Sequence, residues 1–104
     1  MSTVKVVILN WNGCSHLRTF LPSVVRDTPS HVGIVVADNG STDGSVEMLH
    51  GEFPGVEVLV LDRNYGYAGG YNRALARIDA DYYILLNSEV ETSPGWGGPL
   101  ITAL

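Results

Sequence analysis

Residues 32–44 read VGIVVADNGSTDG: a β-branched apolar run from Val32 to Ala37, then a polar, glycine-rich stretch opening at Asp38. A fully apolar run of this length is a strand buried on both faces, and the residues after it suit a loop. The same unit occurs at three other places. VKVVIL (4–9) ends in Asn10, Trp11, Asn12 and Gly13; VEVLVL (56–61) precedes the loop Asp62 to Gly66; YYILL (82–86) runs into Asn87, Ser88, Glu89, Val90 and Glu91. Between these runs the apolar period changes. Leu17, Phe20, Leu21, Val24 and Val25 recur at spacings of three and four, which predicts an amphipathic helix over Cys14 to Asp27, with Pro22 as an internal kink or boundary. Val46, Met48 and Leu49 fit a short second helix with possible caps in Ser41 to Asp43, stopped by Phe53, Pro54 and Gly55. Tyr71, Ala74, Leu75 and Ile78 mark a third, from about Tyr67 to Ile78, and the Pro- and Gly-rich tail ending in Leu100, Ile101 and Leu104 reads as the start of another.

Four strands alternating with three helices predict an α/β domain with a doubly wound, mostly parallel sheet and right-handed crossovers. The 104 residues, 45% hydrophobic, are enough for one modest domain, 1–104. Ligands of such sheets bind beyond the carboxyl ends of the strands, where all four polar clusters fall. The formal net charge of −5 disfavours nucleic acid, and along the sequence the six Lys and Arg form no stripe or cluster. A single cysteine, Cys14, permits no internal disulfide and reads as a packing residue. No apolar run approaches the roughly 18–20 residues of a membrane span, and Met1 to Lys5 lacks a signal-peptide core, so the expected compartment is cytoplasmic.

Each cluster has a chemical and a structural reading. Asp38, at a strand tip before a flexible glycine, can present an acceptor to a ligand N–H or hydroxyl such as a pyrimidine N3–H. Asp43 is as well placed to cap the following helix. Asn87 and Glu89 put two oxygen-bearing side chains within reach of a hard cation, whose remaining ligands would be water and a diphosphate. Arg63 to Asn72 (RNYGYAGGYN) combines three glycines with aromatic residues: Tyr65 and Tyr67 can stack on a base or pad the sheet, and Arg63 can meet a base carbonyl or phosphate.

In order and separation, VVILNWNG (6–13), IVVADNGSTDGS (34–45), RNYGYAGGYNRA (63–74) and DYYILLNSEVE (81–91) resemble the inverting family-2 glycosyltransferases, especially their rhamnosyltransferase-like branch, over essentially the whole chain. The resemblance implies a Rossmann-like GT-A fold and a nucleoside-diphosphate sugar, dTDP- or UDP-linked, bound at the strand tips. Asn10 and Asn12 would line the base pocket, Asp38 with Asn39 beside it would meet the pyrimidine, and Arg63 and Gly66 would border the nucleotide. The family's Asp-x-Asp element aligns with Asn87-Ser88-Glu89. Both outer positions depart from Asp, which leaves Glu89 as the one carboxylate for a divalent cation, Mg²⁺ or Mn²⁺. No residue matches the family's catalytic base, which lies in a later segment. The resemblance thus implies the N-terminal, nucleotide-sugar-binding part of a transferase, inactive alone. A separate reading is a piece that folds but does nothing, its open sheet edge leaving it prone to self-association.

The rival reading is a non-catalytic nucleotide-binding or regulatory α/β module. A phosphoacceptor receiver needs acidic residues after its first strand, where Asn10-Trp11-Asn12 stands, and a dinucleotide-binding half-domain needs several glycines where only Gly13 occurs.

Overall fold

The computed structural model describes residues 3–87 and 101–103. In chain order the elements are β1 (Val4–Asn10), α1 (Cys14–Asp27), β2 (Gly33–Asp38), α2 (Ser45–Glu52), β3 (Glu57–Val60), α3 (Gly66–Leu75), β4 (Tyr82–Asn87) and β5 (Ile101–Ala103). They form one sheet of order β3-β2-β1-β4-β5. Strands β1 to β4 are parallel, in register Val7 with Val35 and Leu85, while β5 runs antiparallel to β4.

Side-chain alternation along β1 divides the core into two layers. Val6 and Ile8 join Val36, Ile84 and Leu86 against Leu17, Phe20, Leu21 and Val24 of α1 and Met48 and Leu49 of α2. Val7 and Leu9 join Val35, Ala37 and Tyr83 against Tyr71, Ala74 and Ile78 on the opposite face. The chain moves outward from β1 to β3 with its helices on one face, then returns across β1 to β4 with α3 on the other. All three crossovers therefore share one hand, and the order reverses between β1 and β4, as in a doubly wound sheet. Each fully buried Leu, Ile or Val contributes about 1.5–3 kcal/mol. Two buried hydroxyls tie the third crossover to the sheet: Tyr71 donates to the Leu86 carbonyl and Tyr83 to that of Ile78.

Several boundaries differ from the sequence reading. Pro22 lies inside an unbroken α1, and Val25, one step off the apolar stripe, is 44% exposed. The α-helical part of α3 stops at Leu75; Arg77 and Ile78 continue by bonds from their N–H groups to Ala74 and Leu75 carbonyls three residues back, which keeps Ile78 buried. The expected terminal helix is corrected to a strand: Ile101, Thr102 and Ala103 pair with Ile84, Tyr83 and Tyr82. Three residues carry no helical period, and β-branched Ile101 and Thr102 suit the open side of β4. This strand covers the β4 edge and leaves β3 bordering the other side of the sheet.

Candidate functional site

Because β1 and β2 are parallel and Asn10 stands level with Asp38, the loops after them leave the same edge of the sheet together. Asn10 is fully buried and donates from Nδ2 to Asp38 Oδ1 at 3.0 Å and to Ser41 Oγ at 3.3 Å. An ionised carboxylate only accepts, so the amide must turn its nitrogen to Asp38. Its oxygen is left buried with no partner among the described residues. Asp38 Oδ2 accepts from the Ser41 N–H at 2.9 Å, closing the turn at Gly40. Asn12, in the left-handed region at φ 50°, extends the seam: its N–H donates to Ser41 Oγ at 2.8 Å and its side-chain oxygen accepts from Thr42 N–H at 2.8 Å.

Asp43 joins the two helices that start here. Its Oδ2 accepts from Cys14 N–H, the first residue of α1, at 3.0 Å, and its Oδ1 from Ser45 N–H, the first of α2, at 3.1 Å, and from the Ser45 hydroxyl. The residues before both helices, Gly13 and Gly44, have no side chain to cap them, so one carboxylate does it for both. Partial desolvation pushes the Asp43 pKa up, but the Ser45 hydroxyl and the backbone N–H donors outweigh it, and the net shift is below the ordinary carboxylate value. The capping reading of Asp43 holds, although the cap position itself is Gly44 rather than a residue of Ser41–Asp43.

Asn39 ties the second loop to the third. Its Nδ2 donates to Asn64 Oδ1 at 3.1 Å and to the Gly66 carbonyl at 3.0 Å, while its oxygen accepts from Tyr65 N–H at 3.0 Å. The fit is close. A Cβ at Gly40, whose φ is +80°, would stand 2.7 Å from the Arg63 carbonyl carbon, and one at Gly70 would stand 2.8 Å from Asn39 Nδ2. Asn10, Asn12, Asp38, Asn39 and Gly66 therefore form one seam across three loops, most of their polar atoms turned to each other.

Arg63 divides between two places. Its backbone packs on Gly40, yet its guanidinium lies 4.9 Å from the Tyr65 ring centre, on the outer side of the third loop. Arg73, on α3, covers the same ring at 3.8 Å. The Tyr65 hydroxyl donates to Asp62, holding that carboxyl below its ordinary range despite slight opposing desolvation, with Arg63 and Arg73 adding to the effect. Arg73 and Arg77 line one cavity with Asp62 and Tyr65. The reading that the basic residues form no cluster is thus corrected: three of the six gather in space, since the loop brings Arg63 to the ring that Arg73 covers and Arg77, just past the end of α3, lines the same cavity as Arg73.

Asn87 ends β4, with Leu9 opposite it in register, so that strand reaches the same edge. Glu89, the remaining candidate ligand, lies outside the described residues. Among the described residues no three His, Cys, Asp or Glu side chains come together as a metal cluster. Trp11 is a residue to which the sequence reading gives no role. It is 54% exposed beside Asn12, and the available signal was a large aromatic within a polar turn, where no core needs it.

No helix among the described residues is long and apolar enough to cross a membrane. Residues 5–104 match the family described as Glycosyl transferase family 2. The chain is 34% identical, over 103 residues, to N-acetylglucosaminyl-diphospho-decaprenol L-rhamnosyltransferase of Mycobacterium tuberculosis, with 88% of this chain and 34% of that protein covered. Its fold is shared with S. aureus TarS in complex with UDP (TM-score 0.71, 23% identity, 84% of this chain and 27% of that one). It is likewise shared with a Pyrobaculum calidifontis mannosyltransferase in complex with GDP-Man and Mn²⁺ (TM-score 0.71, 21% identity, 86% and 28%). The chain thus spans about a third of the length of the rhamnosyltransferase it matches. With the ends of four parallel strands on one edge and the family match running through nearly all of it, the chain belongs to glycosyl transferase family 2.

Proposed function

We propose that this chain is the donor-binding part of an inverting glycosyltransferase, taking a dTDP- or UDP-linked sugar that the complete enzyme transfers to a hydroxyl acceptor. The observation that carries the reading is the seam itself: three loops from adjacent parallel strands, cross-linked through Asn10, Asp38, Ser41 and Asn39, with an exposed indole on the first. A rigid polar rim of this kind orients a base, and the Trp11 face offers it a stacking surface. Asn10 and Asp38, both buried, hold the loops in place, which leaves the exposed residues of the rim, Trp11 and Asn12 among them, to meet the nucleotide. The family match and the nucleotide ligands of the similar structures support the same assignment.

Asn87, at the end of β4, would offer a divalent cation an amide oxygen and Glu89 a carboxylate, together a minor share of its shell. Most ligands would come from the diphosphate and water, and the ion would neutralise charge on the leaving nucleotide. Inversion also needs a base on the acceptor hydroxyl. Asp38 and Asp43 have both oxygens in internal hydrogen bonds and Asp62 turns to the outer corner, so we assign that role to no described residue.

Titration calorimetry of the chain with UDP, dTDP and NAD, with and without Mn²⁺, tests the proposal. Saturable binding of a pyrimidine diphosphate, weakened about tenfold in Trp11→Ala, is the expected result. Preference for NAD, or absence of nucleotide binding by a folded chain, overturns it.

A further inference from the structure

The outer corner beside α3 has a composition that the donor rim does not use. The chain has six Lys and Arg in all. Lys5 pairs with Glu57, Arg18 with Glu52 and Arg26 with Asp27. Among the described residues the other three, Arg63, Arg73 and Arg77, have no such carboxylate partner within ion-pair distance, and they are the three that meet around Tyr65 and Asp62. A protein of net charge −5 thereby concentrates its unpaired positive charge in one place, with a single carboxylate, Asp62, already held by the Tyr65 hydroxyl. The same corner is concave: a cavity of about 260 Å³ is lined by Leu61, Asp62, Tyr65, Arg73, Ala76 and Arg77. Its lining is chemically mixed, with Arg73, Arg77 and Asp62 beside Leu61, Ala76 and Tyr65.

We propose that this cavity is a second binding site, separate from the strand-tip seam, for a phosphate monoester carried on a small apolar or aromatic group. Guanidinium forks match phosphate oxygens geometrically, and Arg73, near the end of α3, and Arg77, just beyond it, line the same cavity. Stacking on Tyr65 restrains the Arg73 side chain beforehand, which lowers the ordering cost on binding. The apolar part of the lining accounts for the organic half of the ligand, which a bare anion would leave unmatched. None of Asn10, Asn12, Asp38 or Trp11 lines this cavity, so its occupation does not require the donor rim.

The test is amide-resolved NMR titration of the chain at constant ionic strength with phenyl phosphate and, in a parallel arm, inorganic phosphate. Phenyl phosphate is expected to shift amides of residues 61–65 and 73–77 saturably and to bind more tightly than inorganic phosphate. Arg73→Gln with Arg77→Gln should weaken it about tenfold or more, whereas Arg18→Gln should not. Arg77→Gln alone removes no ion pair and no ring contact among the described residues, so it reports on the site without a folding change. UDP affinity should be unchanged in the double variant; failure of UDP to bind the parent chain would count against the donor assignment and leave this site intact. Unsaturable shifts, equal affinity for inorganic phosphate, indifference to the double variant, or loss of UDP binding together with phenyl phosphate each overturn the proposal.

Discussion

The strand-tip seam and the α3 corner lie on either side of the same short loop, yet they handle polar groups in opposite ways. In the seam, Asn10, Asp38 and Asn39 are almost fully buried and their donors and acceptors face one another. At the corner, Arg63, Arg73 and Arg77 are exposed, and the first two lean on the Tyr65 ring rather than on carboxylates. A buried polar group without a partner costs roughly 1–3 kcal/mol, so burial compels the seam to be satisfied from within. Exposed guanidinium groups are under no such constraint and stay available. The seam should therefore behave as part of the fold and the corner as part of the surface, even though both consist of residues commonly found in binding sites.

The sharpest way to break this contrast is Asp38→Ala, which removes the acceptor for the Asn10 amide and the Ser41 N–H in a site closed to water. Urea denaturation should show a loss of about 3 kcal/mol, near the upper range for buried hydrogen bonds to a charged group. A loss under about 1 kcal/mol would mean that the loops hold their places without the carboxylate. Next comes Gly70→Ala. The added methyl meets Asn39 Nδ2 at 2.8 Å and Leu9 Cδ1 at 3.0 Å, so it presses on the seam from beneath, and about 1–3 kcal/mol should be lost. Gly51→Ala is the control within a helix, with nothing within 4 Å of the new methyl; it should be neutral or slightly stabilising.

How far the sequence foretold these regions follows from what each depends on. The four parallel strands and α1 were legible because their periodicity is local: VKVVIL and GIVVA need only their own residues to be recognised, although β3, at the sheet border, is not buried as its apolar run suggests. The location of the ligand edge followed from alternation alone. Partnership was not legible. Nothing in the residue type of Asn39 says that it will serve Asn64, Tyr65 and the Gly66 carbonyl, and nothing in Asp43 says that it will cap two helices 31 positions apart at their first residues, Cys14 and Ser45. The arginine cluster was hidden for the same reason, since ten positions separate Arg63 from Arg73 and only the folded loop brings both to Tyr65. The terminal strand was misread because three residues fit either period and the deciding factor, an open side of β4, is tertiary.

Asp43 stands between the extremes: exposed like the corner, yet bonded like the seam. Its lowered pKa stabilises the fold when the carboxyl is ionised, so the contribution is fully present above the ordinary aspartate pKa of about 3.9 and is lost as pH falls from there through the lower folded-state value. Asp43→Ala should cost about 1–2 kcal/mol at pH 7, the ordinary range for losing helix caps. Below about pH 3 the difference between variant and parent in thermal unfolding should shrink; a constant difference would show that the side chain acts through packing instead.

The smallest effect belongs to Arg73→Gln. The residue is exposed, and its described interaction is the stack on Tyr65, which also holds Asp62 through its hydroxyl. An exposed cation–π contact contributes about 0.5–1 kcal/mol, and Arg63 remains over the same ring, so the stability loss should stay under about 0.5–1 kcal/mol. Meanwhile the Asp62 carboxyl loses one of its two cationic neighbours, and its pKa, followed by NMR, should move upward toward the ordinary value. This pairing of a small stability change with a measurable titration change is what a surface cluster predicts. A loss comparable to that of Asp38→Ala would instead make Arg73 a structural post of the third loop, and the two sides of that loop would no longer differ in kind.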